Sequence, residues 1–141
     1  MTILLRAEAE RYAIATHQEI DVCLPRLFAS RVQLQQILMN LMLNAIEAMK
    51  DTGGEMTIKA KIDSNGLVVT SVSDTGVGLA AENIERIFDP FHTTKPQGTG
   101  MGLTITRSIV ESYGGRVWAN PNQGPGATFH FTLPGETEAQ I

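Results

Sequence analysis

The chain has 141 residues, a hydrophobic fraction of 43% and a charged fraction of 18%, the makeup of a globular domain with one two-layer core. A formal net charge of −4 lends no support to a nucleic-acid or membrane surface, so a polyanionic ligand has to be met by local groups. The single cysteine, Cys23, excludes an internal disulfide, and no apolar run is long enough to span a bilayer. These features predict a soluble, cytoplasmic domain.

Residues 3 to 12 read as a short helix or the end of one, and Tyr12 to Leu24 as an extended segment closed by Pro25. Cys23, between Val22 and Leu24, is expected to be a buried strand thiol without reactivity. Ser30 and Gln33 have the spacing of a capping box for a helix from Arg31 to about Lys50. Along that helix Leu34, Ile37, Leu38, Leu41, Ala45, Ala48 and Met49 form a core-facing stripe. Gln36, Asn40, Asn44 and Glu47 form a second stripe, displaced by roughly 110° at about 100° per residue. Asparagine is a poor residue in a helix interior, so two of them on one stripe point to function.

Met56 to Ile62 and Leu67 to Ser73 alternate around the turn Asp63-Ser64-Asn65-Gly66, the pattern of a β-hairpin. The second strand runs into Asp74-Thr75-Gly76-Val77-Gly78, which places a carboxylate on a glycine turn, where it can accept from an exocyclic amine. Ala80 to Ile87 reads as a short helix, and Phe88 to Gly98 as a loop. A second glycine stretch, Gly98-Thr99-Gly100-Met101-Gly102-Leu103, opens a helix predicted from Met101 to Tyr113 and stopped by Gly114-Gly115. Free N–H groups at such a helix start suit phosphate. Its glycine spacing fits neither a P-loop nor the dinucleotide fingerprint. Arg116 to Asn120 and Ala127 to Leu133 read as a last strand pair, followed by a polar tail after Pro134. The expected architecture is an α/β two-layer sandwich, a mixed and mostly antiparallel sheet covered on one face by about three helices.

This order of motifs resembles the ATP-binding catalytic domain of sensor histidine kinases, within the GHKL superfamily of Bergerat-fold ATPases. The resemblance covers residues 12 to 134, leaving 1 to 11 as the end of a dimerisation hairpin and 135 to 141 as a tail. Asn40 to Ala45 resembles the N box, Asp74 to Leu79 the first glycine box, Phe88-Asp89-Pro90-Phe91 the F box and Gly98 to Leu103 the second glycine box. Gly126-Ala127-Thr128-Phe129 resembles the closing motif of the same pocket.

The resemblance implies ATP and Mg²⁺ as ligands. Asn44, with Asn40 beside it, would hold the cation through side-chain oxygen, and Asp74 would accept from the adenine amine. Gly76 and Gly78 would let the backbone approach the nucleotide. Gly98, Thr99, Gly100, Met101, Gly102 and Leu103 would wrap the phosphates. Thr128 would offer a hydroxyl near the base, and Lys95 a point charge for the terminal phosphate. Residues 88 to 100 would form a lid anchored by Phe88 and Phe91. Some relatives carry a phosphate-touching basic residue where this chain has Glu47, so that contact is not expected here.

Hydrolysing branches of the superfamily place a glutamate four residues before the metal-binding asparagine to activate water; this chain has Asn40, and an amide is no general base. Asn40 and Lys95 are therefore the expected catalytic groups of a phosphoryl donor. Of the three histidines, His17, His92 and His130, none sits on a helix hairpin of the acceptor kind. The implied partners are a phosphoacceptor histidine domain of the same protein and a response regulator receiver domain, with this domain monomeric and free of membrane contact. The alternative is a regulatory ATP-binding module or an anti-sigma-type serine kinase with the same pocket.

Overall fold

The computed structural model describes residues 13–20, 30–49, 51–76, 102–122 and 124–134. The expected helices at 3–12 and 80–87, Cys23, the loop 88–100 and the tail lie outside the described residues.

Within them the order is β1 (Ile14–Ile20), α1 (Arg31–Met49), β2 (Gly54–Ile62), β3 (Leu67–Ser73), α2 (Gly102–Ser112), β4 (Val117–Pro121) and β5 (Ala127–Pro134). The strands form one mixed sheet in the order β1-β2-β3-β5-β4. Only the β1–β2 pair is parallel, from Ile14 opposite Gly54 to Ile20 opposite Ala60; the other pairs are antiparallel. A parallel neighbour requires a long crossover, and α1 is in the segment that makes it.

The hairpin has a side chain holding its turn. Asp63 Oδ1 accepts from Asn65 N at 2.8 Å and from Leu67 N at 2.9 Å, while Gly66 takes a φ of +81°. That pins the pairing of Ile62 with Val68, and one face of the sheet follows from it. Met56, Ile58 and Ala60 of β2, Val68 and Val72 of β3 and Ala127, Phe129, Phe131 and Leu133 of β5 are buried. α1 covers β2 and β3 with Ile37, Leu41, Ala45 and Met49, and also buries Met42 and Ile46, which lie outside the stripe expected from the sequence, while α2 lies over β4 and β5. The face is wider because α1 packs against α2 as well as against the sheet. Fully burying a side chain such as Ile37, Leu41 or Phe131 stabilises the fold by about 1.5–3 kcal/mol each.

The helix ends are tied to each other. Ser30 Oγ accepts from Gln33 N at 3.4 Å, half of the expected capping box. The return half is replaced by a tyrosine: Ser30 N donates to Tyr113 Oη at 3.0 Å, and that hydroxyl donates to Gln33 Oε1. Tyr113 directly follows α2, whose end is closed by Gly115 N to Val110 O (3.0 Å) and Gly114 N to Glu111 O (3.0 Å), with Gly114 at φ +79°. The start of α1 and the end of α2 are thereby fixed together.

The other face of the sheet is polar and carries Trp118 stacked on His130, with ring centroids 5.0 Å apart. The two rings border a cavity of about 610 Å³ that Lys59, Lys61 and Ser71 also line. Ser71 Oγ lies 2.8 Å from His130 Nδ1. Burial, and then the nearby Lys61 charge, lowers the His130 pKa from its ordinary 6.5. The unfolded chain therefore binds more protons than the folded one in the window below 6.5. The His130 contribution should be fully present above that pH and be lost as the pH falls through the folded value. Urea unfolding of wild type and His130→Gln between pH 5 and 8 checks this. The difference between their pH profiles should lie below about pH 6.5, and parallel profiles would refute it.

Candidate functional site

β3 delivers Asp74 to the covered side of the sheet. It continues the inward alternation of Val68, Thr70 and Val72 and is only 2% exposed. A buried carboxyl has to be held by donors. Asp74 Oδ1 accepts from Gly76 N at 2.9 Å, Asp74 N donates to Ala127 O at 2.9 Å, and Asn122 Nδ2 donates to Asp74 O at 2.8 Å. Thr75 anchors the turn to its surroundings, since its Oγ1 accepts from Glu55 N at 3.0 Å and lies 3.7 Å from Met49 Sδ.

Gly76 brings the turn against α1. A β-carbon there would stand 2.7 Å from the Ala48 carbonyl carbon, a distance that no side chain tolerates. Ala48 follows Asn44 by four residues, and Asn44 follows Asn40 by four, so all three share one side of the helix. The glycine turn and the two asparagines are thereby placed on the same flank of α1.

Asn40 also links α1 to α2. Its Nδ2 donates to Thr106 Oγ1 at 3.3 Å, and Thr106 is fully buried between the helices. Asn40, Asn44 and Glu47 are all half-buried. α2 begins at Gly102, with Leu103 packed against the core, so the end of the second glycine stretch is carried on the helix that Asn40 contacts. Gly78, Lys95, Gly98, Thr99, Gly100 and Met101 lie outside the described residues.

Thr128 departs from its expected place. On β5 the residues Ala127, Phe129, Phe131 and Leu133 face the core, so Thr128 and His130 face the opposite side of the sheet. The residue that neighbours Asp74 on β5 is Ala127, and the Thr128 hydroxyl instead donates to Asn122 Oδ1 at 2.6 Å and lies 3.0 Å from Ser73 Oγ. The Thr128 hydroxyl is therefore linked to Asp74 through Asn122 rather than directly. The strict alternation of apolar and polar residues from Ala127 to Leu133 carries that information. Asn122 and Thr106 do not stand out in the sequence, because a loop amide and a helix threonine acquire meaning only from what stands opposite them.

For a divalent cation the donors are few. Among the described residues no group of three or more His, Cys, Asp or Glu side chains could form a cage. The pair Asn40 and Asn44 fits a hard ion that keeps water and phosphate oxygens; in Asn40 the nitrogen is the end that meets Thr106, and Oδ1 is the end suited to a cation. Among the described residues no helix is long and apolar enough to cross a membrane.

The family model of histidine kinase-, DNA gyrase B-, and HSP90-like ATPases matches residues 29–137. The chain belongs to this family. It is similar to the sensor protein FixL of Bradyrhizobium diazoefficiens, with 45% identity over 113 residues, which are 79% of this chain and 22% of that protein. The nucleotide-free catalytic domain of histidine kinase ThkA superposes with a TM-score of 0.81 at 37% identity, covering 94% of this chain and 86% of that one. Full-length ShkA in complex with AMPPNP superposes with a TM-score of 0.79 at 33% identity, over 95% of this chain and 30% of that one. The chain is thus an ATP-binding catalytic domain of the sensor histidine kinase kind, and it spans about a fifth of the length of FixL. Its mixed sheet with helices on one face is the α/β sandwich of those domains.

Proposed function

We propose that this domain binds Mg·ATP along the flank of α1 and passes the γ-phosphoryl group to a histidine on a separate helical domain. The adenine amine is accepted by Asp74, and the phosphates run towards Asn44 and the start of α2. Asn44 and Asn40 hold Mg²⁺ by side-chain oxygen, and the bound ion offsets the charge of the phosphate oxygens. Lys95 and the glycines from Gly98 to Gly102 complete the phosphate contacts.

The observation that carries transfer over hydrolysis is Asn40. Its amide donates to Thr106 and accepts no proton at neutral pH, so water has no general base at this position. Catalysis then rests on position and charge: a lone pair of the acceptor imidazole forms the N–P bond as the bond from phosphorus to the ADP oxygen breaks. A receiver domain of a response regulator is the onward acceptor, a reading supported by the relative ThkA, which has been solved with the response regulator TrrA.

The test supplies a two-helix acceptor domain in trans with labelled ATP and Mg²⁺. The expected product is acid-labile, base-stable phosphohistidine on the acceptor, with little phosphate release in its absence. Steady ATP turnover without the acceptor, or label on a partner serine, would overturn the reading.

A further inference from the structure

We propose that Asn122 is a positioning residue that sets adenine selection by holding Asp74 in place; this rests on the reading that Asp74 meets the adenine amine. Asn122 follows β4 directly and reaches both strands that flank the turn. Its Nδ2 donates to Asp74 O at 2.8 Å, its Oδ1 accepts from the Thr128 hydroxyl at 2.6 Å, and its backbone N donates to Gly126 O at 3.1 Å. Nδ2 also lies 3.4 Å from Pro125 O and 3.4 Å from Ser73 Oγ.

The peptide groups around Asp74 are thus held on both sides. Its N–H is taken by Ala127 O, its carbonyl by Asn122, and its Oδ1 by Gly76 N. With Oδ1 committed to the turn, the direction of the other oxygen follows from the backbone position. Asn122 holds that position from across the β4–β5 loop. Thr128 orients Asn122, since the hydroxyl proton on Oδ1 decides which end of the amide faces Asp74. The amide does two jobs that a carboxylate cannot do together, accepting from Thr128 and donating to Asp74.

Small misplacements of a positioned group are costly, and a shift of the Asp74 carboxyl falls on the ligand whose amine it accepts from, ATP, rather than on ITP or tripolyphosphate. The intact chain is titrated with ATP, with ITP, which carries a carbonyl where adenine has its amine, and with tripolyphosphate. Wild type should prefer ATP to ITP. Asn122→Ala should weaken ATP about tenfold, roughly the worth of one well-placed buried hydrogen bond, and leave ITP and tripolyphosphate within about twofold. Thr128→Val, which keeps volume and removes the hydroxyl, should move the same ratio in the same direction by less, and so serves even if the alanine variant folds poorly. In the Asp74→Asn background, Asn122→Ala should add no further loss of ATP affinity. Equal proportional losses for ATP and ITP, or an unchanged preference, would mean that Asn122 merely stabilises the loop. A wild type that does not distinguish ATP from ITP would sink the adenine reading itself, and this proposal with it.

Discussion

Asp74→Asn is expected to weaken ATP binding by about 100-fold while leaving the fold intact, the largest effect on binding of any single isosteric change in the domain. The side-chain oxygen that accepts from Gly76 N survives in asparagine, so the turn keeps its hydrogen bond. The other oxygen becomes an amide N–H, which on the proposed reading would meet the adenine amine donor to donor. Desolvated sites penalise such a mismatch heavily, and Asp74 is almost wholly buried. Displacement of a fluorescent nucleotide gives the affinity, and circular dichroism checks the fold. A variant that binds ATP within about threefold of wild type would remove Asp74 from recognition.

Gly126→Ala should produce the largest loss of stability among the glycines near the site, about 3 kcal/mol or more, with a midpoint lower by roughly 6–12 °C. Two independent costs act there. Gly126 has φ +98°, where a β-carbon is strained, and that carbon would stand 2.6 Å from Asp74 C and 2.8 Å from Thr75 Cα. The clash is against backbone, so no rotamer change relieves it, and the atoms that would move belong to the Asp74 turn. ATP affinity should therefore fall together with stability. Gly124→Ala is the control, because nothing lies within 4 Å of its added carbon, and it should stay within about 0.5 kcal/mol of wild type. Thermal melts that showed the two alanines equally stable would contradict this account.

Much of the fold is legible in the order of residues alone. The helix over α1, the hairpin with its Asp63 turn and the closing glycines of α2 all rest on local chemistry: residue period, one side chain capping nearby N–H groups, or a residue without a β-carbon. Asp74 is legible as a carboxylate leaving a strand. The side of the sheet on which Thr128 stands is set by strand alternation, which its nearness to Gly126 along the chain does not convey. The parallel pairing of β1 with β2 and the Tyr113 bridge to Ser30 and Gln33 are not legible, because each joins residues far apart along the chain.

By itself the sequence determined which residue types were available and the elements that carry them: two asparagines on one stripe of a helix, a carboxylate at a strand end, and a glycine stretch opening a second helix. Only the tertiary structure decided which of these meet. Gly76 against Ala48, Asn40 on Thr106, and Asn122 between Thr128 and Asp74 are contacts between separate segments. Such contacts depend on the register of the sheet and the approach of the helices, which local propensity does not encode. Close packing converts that register into a fixed site, because a glycine turn pressed on a helix and a buried carboxylate with its donors in place have almost no other arrangement open to them.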